Sequence, residues 1–295
     1  MMGEGTGPVW RCRDRVIRLG ARPLVMGILN VTPDSFSDGG RYLATDAAIQ
    51  RGLEMAAEGA DILDIGGEST RPGAAPVPAD EELDRVRPVM AGLCNALPSA
   101  GRPLLSVDTR KAVVAEAALA AGADILNDVT ALRGDPAMVE VARRYGAGVV
   151  LMHMQGDPES MQLDPRYRDV SVEVCEWLRA RVAALVEQGL AVETLAVDPG
   201  IGFGKTVEHN LCLLARIGDL AALGRPVVVG LSRKRFLGTL TGKPVEGRVA
   251  GSLAGLVYAC LRGAHVMRVH DVGASVDALR VLEAMRREES RACSG

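Results

Sequence analysis

Two kinds of apolar pattern alternate along the chain from about residue 24 to its C-terminal region. Short apolar runs are typical of buried strands, and longer stretches in which apolar residues recur every three or four positions are typical of amphipathic helices. Ile49, Leu53, Ala56 and Ala57 form one such helical stripe. Eight strands are predicted, and they begin near Leu24, Ile62, Leu104, Ile125, Val149, Leu195, Val227 and Val266.

A short motif recurs where a helical stretch ends and a strand begins. The chain has Gly-Ala-Asp-Ile at residues 59–62 and again at 122–125, Gly-Ala-His-Val at 263–266, and the looser Gly-Ala-Gly-Val at 146–149. Glycine can adopt the left-handed conformation that ends a helix, so the next strand can start within a residue or two. The recurrence indicates one repeated strand and helix unit.

Eight such units favour one fold class over its nearest alternative. A (β/α)8 TIM barrel needs eight strands, whereas open doubly wound sheets commonly have fewer and carry an early glycine-rich phosphate turn. The pattern therefore predicts an α/β fold, a single-domain TIM barrel over residues 22–287. Residues 1–21 are predicted to be an N-terminal extension without an assigned role, and residues 288–295 a C-terminal tail. An α/β sheet that closes differently is the alternative.

Composition favours a small-molecule partner. The chain of 295 residues is long enough for one such barrel, and its net charge of -3 gives no basic field that would attract nucleic acid or an anionic membrane. Its longest apolar runs are far shorter than the roughly 20 residues of a membrane-spanning helix. Residues 1–20 contain no apolar run of signal-peptide length. A cytoplasmic protein that binds neither nucleic acid nor membrane is therefore expected.

Polar residues follow every predicted strand. In a TIM barrel the active site is built at the C-terminal ends of the strands. A single polar residue there would usually cap the next helix, but eight polar strand ends together indicate a site. Carboxylates suit a donor-rich heterocycle, arginine and histidine suit phosphate oxygens, and an asparagine oxygen suits Mg²⁺. The residues are Asn30, Asp64, Asp108, Asn127, Asp128, His153, Asp198, Ser232, Arg233, Lys234, Arg268 and His270.

The glycine-rich segment Gly200–Thr206 does not fit a nucleotide-binding P-loop. Such a loop requires glycine at the position that Pro199 occupies, so a lid, or a loop that lets the backbone approach a ligand, is expected instead. The chain also lacks a Gly-x-Ser-x-Gly nucleophile elbow, and its four histidines show no metal-ligand spacing. Covalent hydrolysis and zinc chemistry are thus disfavoured.

The loops that carry these polar residues form a recognisable series. It starts with MGILNVTPDSFSDGG at residues 26–40 and DIGGESTRPG at 64–73, and continues with SVDT, LND, LMHMQGDP, DPGIGFGKT, SRKRFLG and RVHDV. In combination and order these segments resemble the dihydropteroate synthases over residues 22–287. The resemblance implies condensation of hydroxymethyl-dihydropterin diphosphate with p-aminobenzoate to give dihydropteroate and pyrophosphate. It also implies Mg²⁺ as cofactor and a homodimer formed through outer helices.

By matching position, the resemblance assigns roles to individual residues. Asp34, Lys234, Arg268 and His270 are the expected catalytic residues, and Asn30 is the expected Mg²⁺ ligand. The expected substrate-binding residues are Asp108, Asn127, Met152, Asp198 and Lys234 for the pterin ring, Thr70, Arg71, Arg268 and His270 for the diphosphate, and Phe36, Pro72, Phe203 and Ser232 for p-aminobenzoate.

A pterin-binding methyltransferase that serves a corrinoid protein is the nearest alternative, because that family is similar in its barrel and its Asp, Asn, Asp pterin ligands. The motifs at Ser232–Lys234 and at Arg268 and His270 favour the synthase, since a methyl donor carries no diphosphate. A degenerate pterin-binding homologue is the other alternative, and the intact loop residues disfavour it. Arg235 stands where many dihydropteroate synthases have serine, so the resemblance does not extend to contacts of that position with p-aminobenzoate or sulfonamides.

Overall fold

Ten strands form among the residues that the computed structural model describes, which are 7–20, 22–32, 40–69, 76–156 and 161–292. The first two strands pair as an antiparallel hairpin, and the other eight pair in parallel. The strands are β1 (Val9–Cys12), β2 (Arg15–Arg18), β3 (Leu24–Asn30), β4 (Ile62–Gly66), β5 (Leu104–Asp108), β6 (Ile125–Asp128), β7 (Gly148–Met152), β8 (Leu195–Asp198), β9 (Val228–Gly230) and β10 (Val266–Val269).

The eight parallel strands close into a barrel. Their order around the sheet is β8-β7-β6-β5-β4-β3-β10-β9. The two ends of this series meet at a parallel bridge between Val197 and Val227, and the Val197 N–H donates to the Pro226 carbonyl at 2.8 Å. Each predicted strand start lies within one residue of an observed start. The predicted α/β class and the single-domain TIM barrel are therefore confirmed.

Helices follow the strands and cover the outside of the barrel. Short 3₁₀ turns lie at Val192–Thr194 and Val245–Arg248. The helices are α1 (Gly40–Glu58), α2 (Ala79–Ala96), α3 (Ala112–Ala120), α4 (Met138–Tyr145), α5 (Val170–Glu187), α6 (Val207–Ala215), α7 (Ile217–Ala221), α8 (Arg235–Thr241), α9 (Val249–Leu261) and α10 (Val272–Ala292).

Three of the four residues in the predicted stripe of α1 contact the core. Ile49, Leu53 and Ala56 are partly buried against it beside the buried Ala48 and Met55, whereas Ala57 is exposed. Alanine is small and tolerates both environments, so its position in a periodic pattern carries little information about burial. The helix itself forms where the pattern predicts it.

Apolar side chains pack in two layers, one between strands and helices and one inside the barrel. The inner layer occupies the N-terminal half of the barrel, because it is built mostly from the first residues of the strands. Burial in such a layer is the main favourable term that holds the strands together. Its members from the parallel strands are Met26, Ile62, Leu104, Ile125, Val150, Ala196, Val228 and Val266.

The hairpin of β1 and β2 covers the N-terminal end of this inner layer. Trp10 and Cys12 are fully buried in it, and the Trp10 Nε1–H donates to the Thr194 carbonyl at 2.9 Å. The Arg13 guanidinium donates to the carbonyls of Leu119 and Ala123 at 2.9 and 3.0 Å. Residues 9–18 thus fill one end of the barrel, which leaves the C-terminal ends of the strands to form the open mouth.

The repeated glycines have the conformation that the sequence predicts. Gly59, Gly122, Gly146 and Gly263 have φ angles of 103°, 113°, 58° and 105°. Residues with a Cβ rarely adopt such values, which explains why glycine recurs between each of these helices and the following strand. Among the described residues, no helix is both long and apolar enough to cross a membrane.

Candidate active site

The polar strand ends meet at one mouth of the barrel, as the fold predicts. A cavity of about 940 Å³ lies there. Many of the predicted site residues line this cavity, although they come from strands and loops that are far apart in the sequence. They are Asn30, Asp108, Phe203, Ser232, Lys234, Arg268 and His270.

The remaining predicted residues fall into two groups. Asn127 is paired with Asp108 in the register of β5 and β6, and Met152 is paired with Asp198 in the register of β7 and β8. These residues therefore end neighbouring strands at the same mouth. The others lie outside the described residues, and they are Asp34, Phe36, Thr70, Arg71 and Pro72.

Arg268 joins carboxylates from two other strands. Its Nε donates to Asp64 Oδ2 at 2.6 Å and its Nη2 donates to Asp108 Oδ2 at 2.7 Å. Asn127 Nδ2 donates to the same Asp64 oxygen at 3.0 Å. Asp64 is 0% exposed and Asp108 is 7% exposed, so these contacts form away from bulk water. We call Asp64, Asp108, Asn127 and Arg268 the Arg268 cluster.

Burial changes the charge balance of the carboxyl groups. It raises the pKa of Asp108, and the contacting Arg268 guanidinium acts in the opposite direction. Burial also raises the pKa of Asp198, opposed first by Lys234 and then by the Gly200 N–H, which donates to Asp198 Oδ1 at 2.7 Å. Burial alone would lower the pKa of Arg268, but Asp64 and Asp108 raise it overall. The carboxylates therefore depend on cations and hydrogen-bond donors to remain ionised.

Lys234 connects the carboxylate side of the mouth to an aromatic side. Burial lowers its pKa to about 8, while Asp198 acts in the opposite direction and Arg268 adds to the shift. Its Nζ donates to the Ile201 carbonyl and lies 4.6 Å from the centroid of the Phe203 ring. An ammonium at that distance from an aromatic ring is attracted by the π electrons. Asp198, Lys234 and Phe203 therefore form a continuous wall.

Ser232 and His270 form a second polar pair on the mouth. The Ser232 Oγ accepts from the His270 backbone N–H at 3.2 Å and lies 3.1 Å from His270 Nδ1. Arg235 is exposed and also lines the cavity. The rim thus offers hydroxyl, imidazole and guanidinium groups to a polar ligand.

Asp64, Glu68 and Lys205 contribute to the mouth although the sequence assigns none of them a role toward a ligand. Asp64 is predicted only as a polar strand end, and in the structure it is the acceptor at the centre of the Arg268 cluster. Glu68 accepts from Lys111 Nζ at 2.7 Å and lines the cavity. Lys205 is 3% exposed and also lines the cavity.

The arrangement suits a flat ligand that carries both hydrogen-bond donors and an anionic group. Buried carboxylates accept hydrogen bonds on the inner side, where the Asn127 amide donates to Asp64, and Lys234, Arg268 and His270 offer donors beside them. Charge-assisted hydrogen bonds in such a protected site are stronger than those in water. The described residues contain no group of three His, Cys, Asp or Glu placed to hold a metal ion.

Comparison with known proteins identifies the family. A sequence model described as "Pterin binding enzyme" matches residues 26–270. The chain belongs to the pterin-binding enzyme family. Over 268 residues it is 47% identical to the dihydropteroate synthase of Neisseria meningitidis serogroup C, an alignment that covers 90% of this chain and 93% of the relative. The predicted resemblance to the dihydropteroate synthases is confirmed.

Solved structures give the same result at the level of the fold. The Xanthomonas albilineans dihydropteroate synthase with 4-aminobenzoic acid is 50% identical, with a TM-score of 0.87, and the match covers 95% of this chain and 99% of that chain. A structure of the enzyme from the same organism in complex with 7,8-dihydropteroate is 47% identical, with a TM-score of 0.84 and the same coverage. Pterin-binding relatives therefore share the barrel over nearly its whole length.

Proposed function

We propose that this protein condenses hydroxymethyl-dihydropterin diphosphate with p-aminobenzoate to give dihydropteroate and pyrophosphate in folate biosynthesis. The observation that carries the proposal is the near-complete similarity to dihydropteroate synthases, one of which has been solved with 7,8-dihydropteroate. The mouth of the barrel supports it independently, because buried hydrogen-bond acceptors and several cations lie around one cavity.

The pterin ring is assigned to the inner part of the mouth. Its ring and amino N–H groups need acceptors, which Asp108, Asn127 and Asp198 supply, and its ring oxygen and nitrogen need a donor, which Lys234 supplies. The burial of the three acceptor side chains supports the assignment, because a ligand that replaces water there must satisfy them. Met152, also buried, would pack against the ring face.

The two other parts of the substrates are assigned to groups nearer the rim. Arg268 and His270, with Thr70 and Arg71, would bind the diphosphate as cationic and hydroxyl donors. Phe203 and Ser232, with Phe36 and Pro72, would contact p-aminobenzoate. The position of Phe203 beside Lys234 supports an arylamine subsite that adjoins the pterin subsite.

The chemistry needs little from a general base. The bond between the pterin methylene carbon and the diphosphate oxygen breaks, and its electron pair leaves with pyrophosphate. The cation left on the methylene is delocalised into the pterin ring, and the neutral amine of p-aminobenzoate then bonds to that carbon and releases a proton. Arg268 and His270 would stabilise the departing anion, and Asp34 would help stabilise the cation or order its loop.

Mg²⁺ is part of the proposal. Asn30 ends β3 on the cavity wall, and a side-chain amide oxygen is a ligand type that Mg²⁺ accepts. One protein ligand fits this ion, because Mg²⁺ at phosphate sites commonly completes its coordination with phosphate oxygens and water. When bound, Mg²⁺ would neutralise charge on the leaving pyrophosphate. Asn30 would hold it next to the diphosphate subsite.

The decisive test is an assay of pyrophosphate release from the pterin diphosphate. Release is expected to require both p-aminobenzoate and Mg²⁺, and dihydropteroate should form in equal amount. Addition of EDTA should stop release of pyrophosphate, and addition of Mg²⁺ in excess of EDTA should restore it. Release at the same rate without p-aminobenzoate, or no release with all components present, would refute the proposal.

We also propose that the protein is a homodimer joined through the outer faces of α9 and α10. Tyr258, Leu261, Val281 and Met285 are exposed apolar residues on these two helices. Arg286 Nη2 donates to the Cys260 carbonyl at 3.1 Å, which brings the end of α9 next to the Met285 turn of α10. A contiguous exposed apolar surface favours association. The cytoplasmic location stays a prediction from composition.

Sedimentation of the wild-type protein is expected to give the mass of two chains. Leu261→Glu should give the mass of one chain, because it places a charge in the centre of the proposed interface. Val113→Glu, on α3, is the matched control, since Val113 is equally exposed but lies on another helix. A monomeric wild type, or a dimer that both variants preserve, would contradict this interface.

A further inference from the structure

The glycine-rich segment after β8 carries a buried lysine that the proposed mechanism does not use. Lys205 lies two residues before α6, whose N-terminus is fixed by Thr206 Oγ1, which accepts from the His209 N–H at 3.2 Å. The Lys205 side chain lies in the protein interior although the residue lines the substrate cavity. A buried ammonium is costly unless its donors are satisfied, so the surroundings of Nζ indicate what the residue does.

Three neutral acceptors surround the Lys205 ammonium. Its Nζ lies 3.1 Å from His153 Nδ1, donates to the Phe203 carbonyl at 2.9 Å and donates to the His153 carbonyl at 3.4 Å. An ammonium has three N–H donors, so the set matches the charged form of the side chain. Burial lowers the pKa of His153 to about 3, so this imidazole is neutral near pH 7 and can accept through Nδ1.

The same segment packs directly against the residues that follow β7. Gly200 has a φ of 67°, and a Cβ at this position would lie 1.9 Å from the His153 carbonyl oxygen. Gly204 has a φ of 61°, and a Cβ there would lie 2.8 Å from the Gln155 carbonyl oxygen. Only glycine allows this close approach. Lys205 adds a polar link, since its ammonium connects the loop after β8 to the loop after β7.

The other end of that link carries Phe203. The Phe203 carbonyl accepts from Lys205, and the Phe203 ring lies 4.6 Å from the Lys234 ammonium. The ring also packs against the buried cluster of Val129, Met152, Met154 and Met161. The orientation of the Phe203 ring therefore depends on the backbone at Phe203, whose carbonyl Lys205 holds in place.

We infer that Lys205 is a positioning residue for the arylamine substrate. Its ammonium ties the segment Gly200–Thr206 to the end of β7 and so fixes the Phe203 ring at the arylamine subsite. The inference rests on the proposed function, because it assigns that subsite to p-aminobenzoate. It adds Lys205 and His153 to the residues on which recognition of that substrate depends.

The charge state of Lys205 gives the inference a measurable signature. Burial lowers the pKa of Lys205 to about 7, with Lys234 adding to the shift and Asp198 opposing it. Among the described residues, the other titratable groups that face it are His153, which is neutral, and Tyr167, whose ring centroid lies 5.9 Å from Nζ and whose pKa burial raises. Above pH 7 the amine keeps two donors, so one of the three acceptors loses its partner. The KM for p-aminobenzoate is therefore expected to rise with pH through about 7.

The test is steady-state kinetics of wild type and Lys205→Met over a range of pH. The variant keeps most of the apolar part of the side chain and removes its charge and donors. Its KM for p-aminobenzoate at about pH 6.5, roughly half a unit below the midpoint, should be about tenfold higher than that of the wild type, since charged hydrogen bonds are lost. The KM for the pterin diphosphate should change by less than about threefold. The rise of the arylamine KM through pH 7 should disappear.

Companion variants separate positioning from general damage to the fold. Lys205→Arg should restore part of the affinity for p-aminobenzoate, because it returns a cation with several donors. His153→Phe should raise the same KM and add little to the effect of Lys205→Met in the double variant. The reason is that both substitutions remove the same contact between Lys205 Nζ and His153 Nδ1. Lys243→Met, at an exposed lysine, should behave as wild type. If Lys205→Met does not fold, Lys205→Arg and His153→Phe decide the question.

Two results would overturn the inference, and each is distinct from failure of the proposed function. Equal increases in the KM values of both substrates would indicate general loss of structure, and an unchanged arylamine KM with an unchanged pH profile would show that Lys205 positions nothing. In both cases the wild type still forms dihydropteroate. A wild type that forms none refutes the proposed function, and the assignment of Lys205 to an arylamine subsite fails with it.

Discussion

Arg268→Ala is expected to lower the free energy of unfolding by about 3–5 kcal/mol, since it leaves buried carboxylates without their cation. Asp64 and Asp108 both contact the Arg268 guanidinium, at 2.6 and 2.7 Å, and the remaining member of the cluster, Asn127, is neutral. The variant should also have no measurable condensation activity, because the same guanidinium is assigned to the diphosphate. Urea unfolding at pH 8, together with the pyrophosphate assay, would measure both effects.

The loss of stability in this variant should depend on pH. Burial already raises the pKa of Asp108, and removal of Arg268 takes away the cation that opposes this shift. A carboxyl whose folded pKa lies above its unfolded pKa contributes stability below the unfolded value and loses it as pH rises through the folded value. The deficit relative to wild type should therefore be smaller at about pH 5 than at about pH 8. Adding Asp108→Asn should restore part of the stability without restoring activity.

Arg216→Ala is the matched control for stability. The Arg216 guanidinium pairs with Asp169 at 2.9 Å, but the two side chains are 41% and 46% exposed. An exposed pair of this kind contributes about 1 kcal/mol or less. Equal losses in the two variants, or a deficit of Arg268→Ala that grows on acidification, would contradict the role given to the Arg268 cluster.

The barrel could be predicted from the sequence because its strands are buried on both faces. Runs such as β3 (Leu24–Asn30) and β7 (Gly148–Met152) therefore appear as nearly continuous apolar segments that end at polar residues. The hairpin at the N-terminus could not be predicted in the same way. Its buried Trp10 and Cys12 alternate with Arg11 and Arg13, and only the tertiary structure shows that these two apolar side chains fill the end of the barrel.

The site was predictable as a set of strand ends but not as a set of contacts. The rule that strand ends converge brings Asp108 and Arg268 to one mouth, although they lie 160 residues apart. The sequence assigns Asp108 to the pterin and Arg268 to the diphosphate, and it contains no signal that these two side chains contact each other. Contacts of this kind depend on strand register and rotamers, which periodicity does not encode. The roles of individual residues toward the substrates stay predictions.

Lys205 illustrates the same limit in a loop. A lysine between glycine and threonine is usually exposed, and nothing in the letters DPGIGFGKT indicates that His153, after another strand, accepts from its ammonium. The glycines were informative in one respect. Their pattern predicts a loop in which the backbone approaches another group closely, and the structure shows that the group is the backbone after β7.

Lys234→Met is expected to lower kcat/KM for the condensation by about 100-fold, the effect typical of losing one preorganised donor at a reacting ligand. The Lys234 ammonium helps to keep the Asp198 carboxylate ionised and lies 4.6 Å from the centroid of the Phe203 ring. Its loss should weaken pterin binding directly and raise the pKa of Asp198 further. Steady-state kinetics would measure the loss of kcat/KM, and titration calorimetry with a pterin ligand would measure the loss of pterin binding. Lys243→Met, at an exposed lysine, is the control.

The pH profile distinguishes this lysine from Lys205. Burial lowers the pKa of Lys234 to about 8 and that of Lys205 to about 7. Each ammonium is present below its pKa and lost above it, so wild-type kcat/KM for the pterin diphosphate should fall as pH rises through about 8. Lys234→Met should remove that fall and keep the rise of the KM for p-aminobenzoate near pH 7. Lys205→Met should keep the fall and remove the rise. If the fall in kcat/KM at alkaline pH persists in Lys234→Met, the fall arises from another group and Lys234 is removed from the pterin contacts.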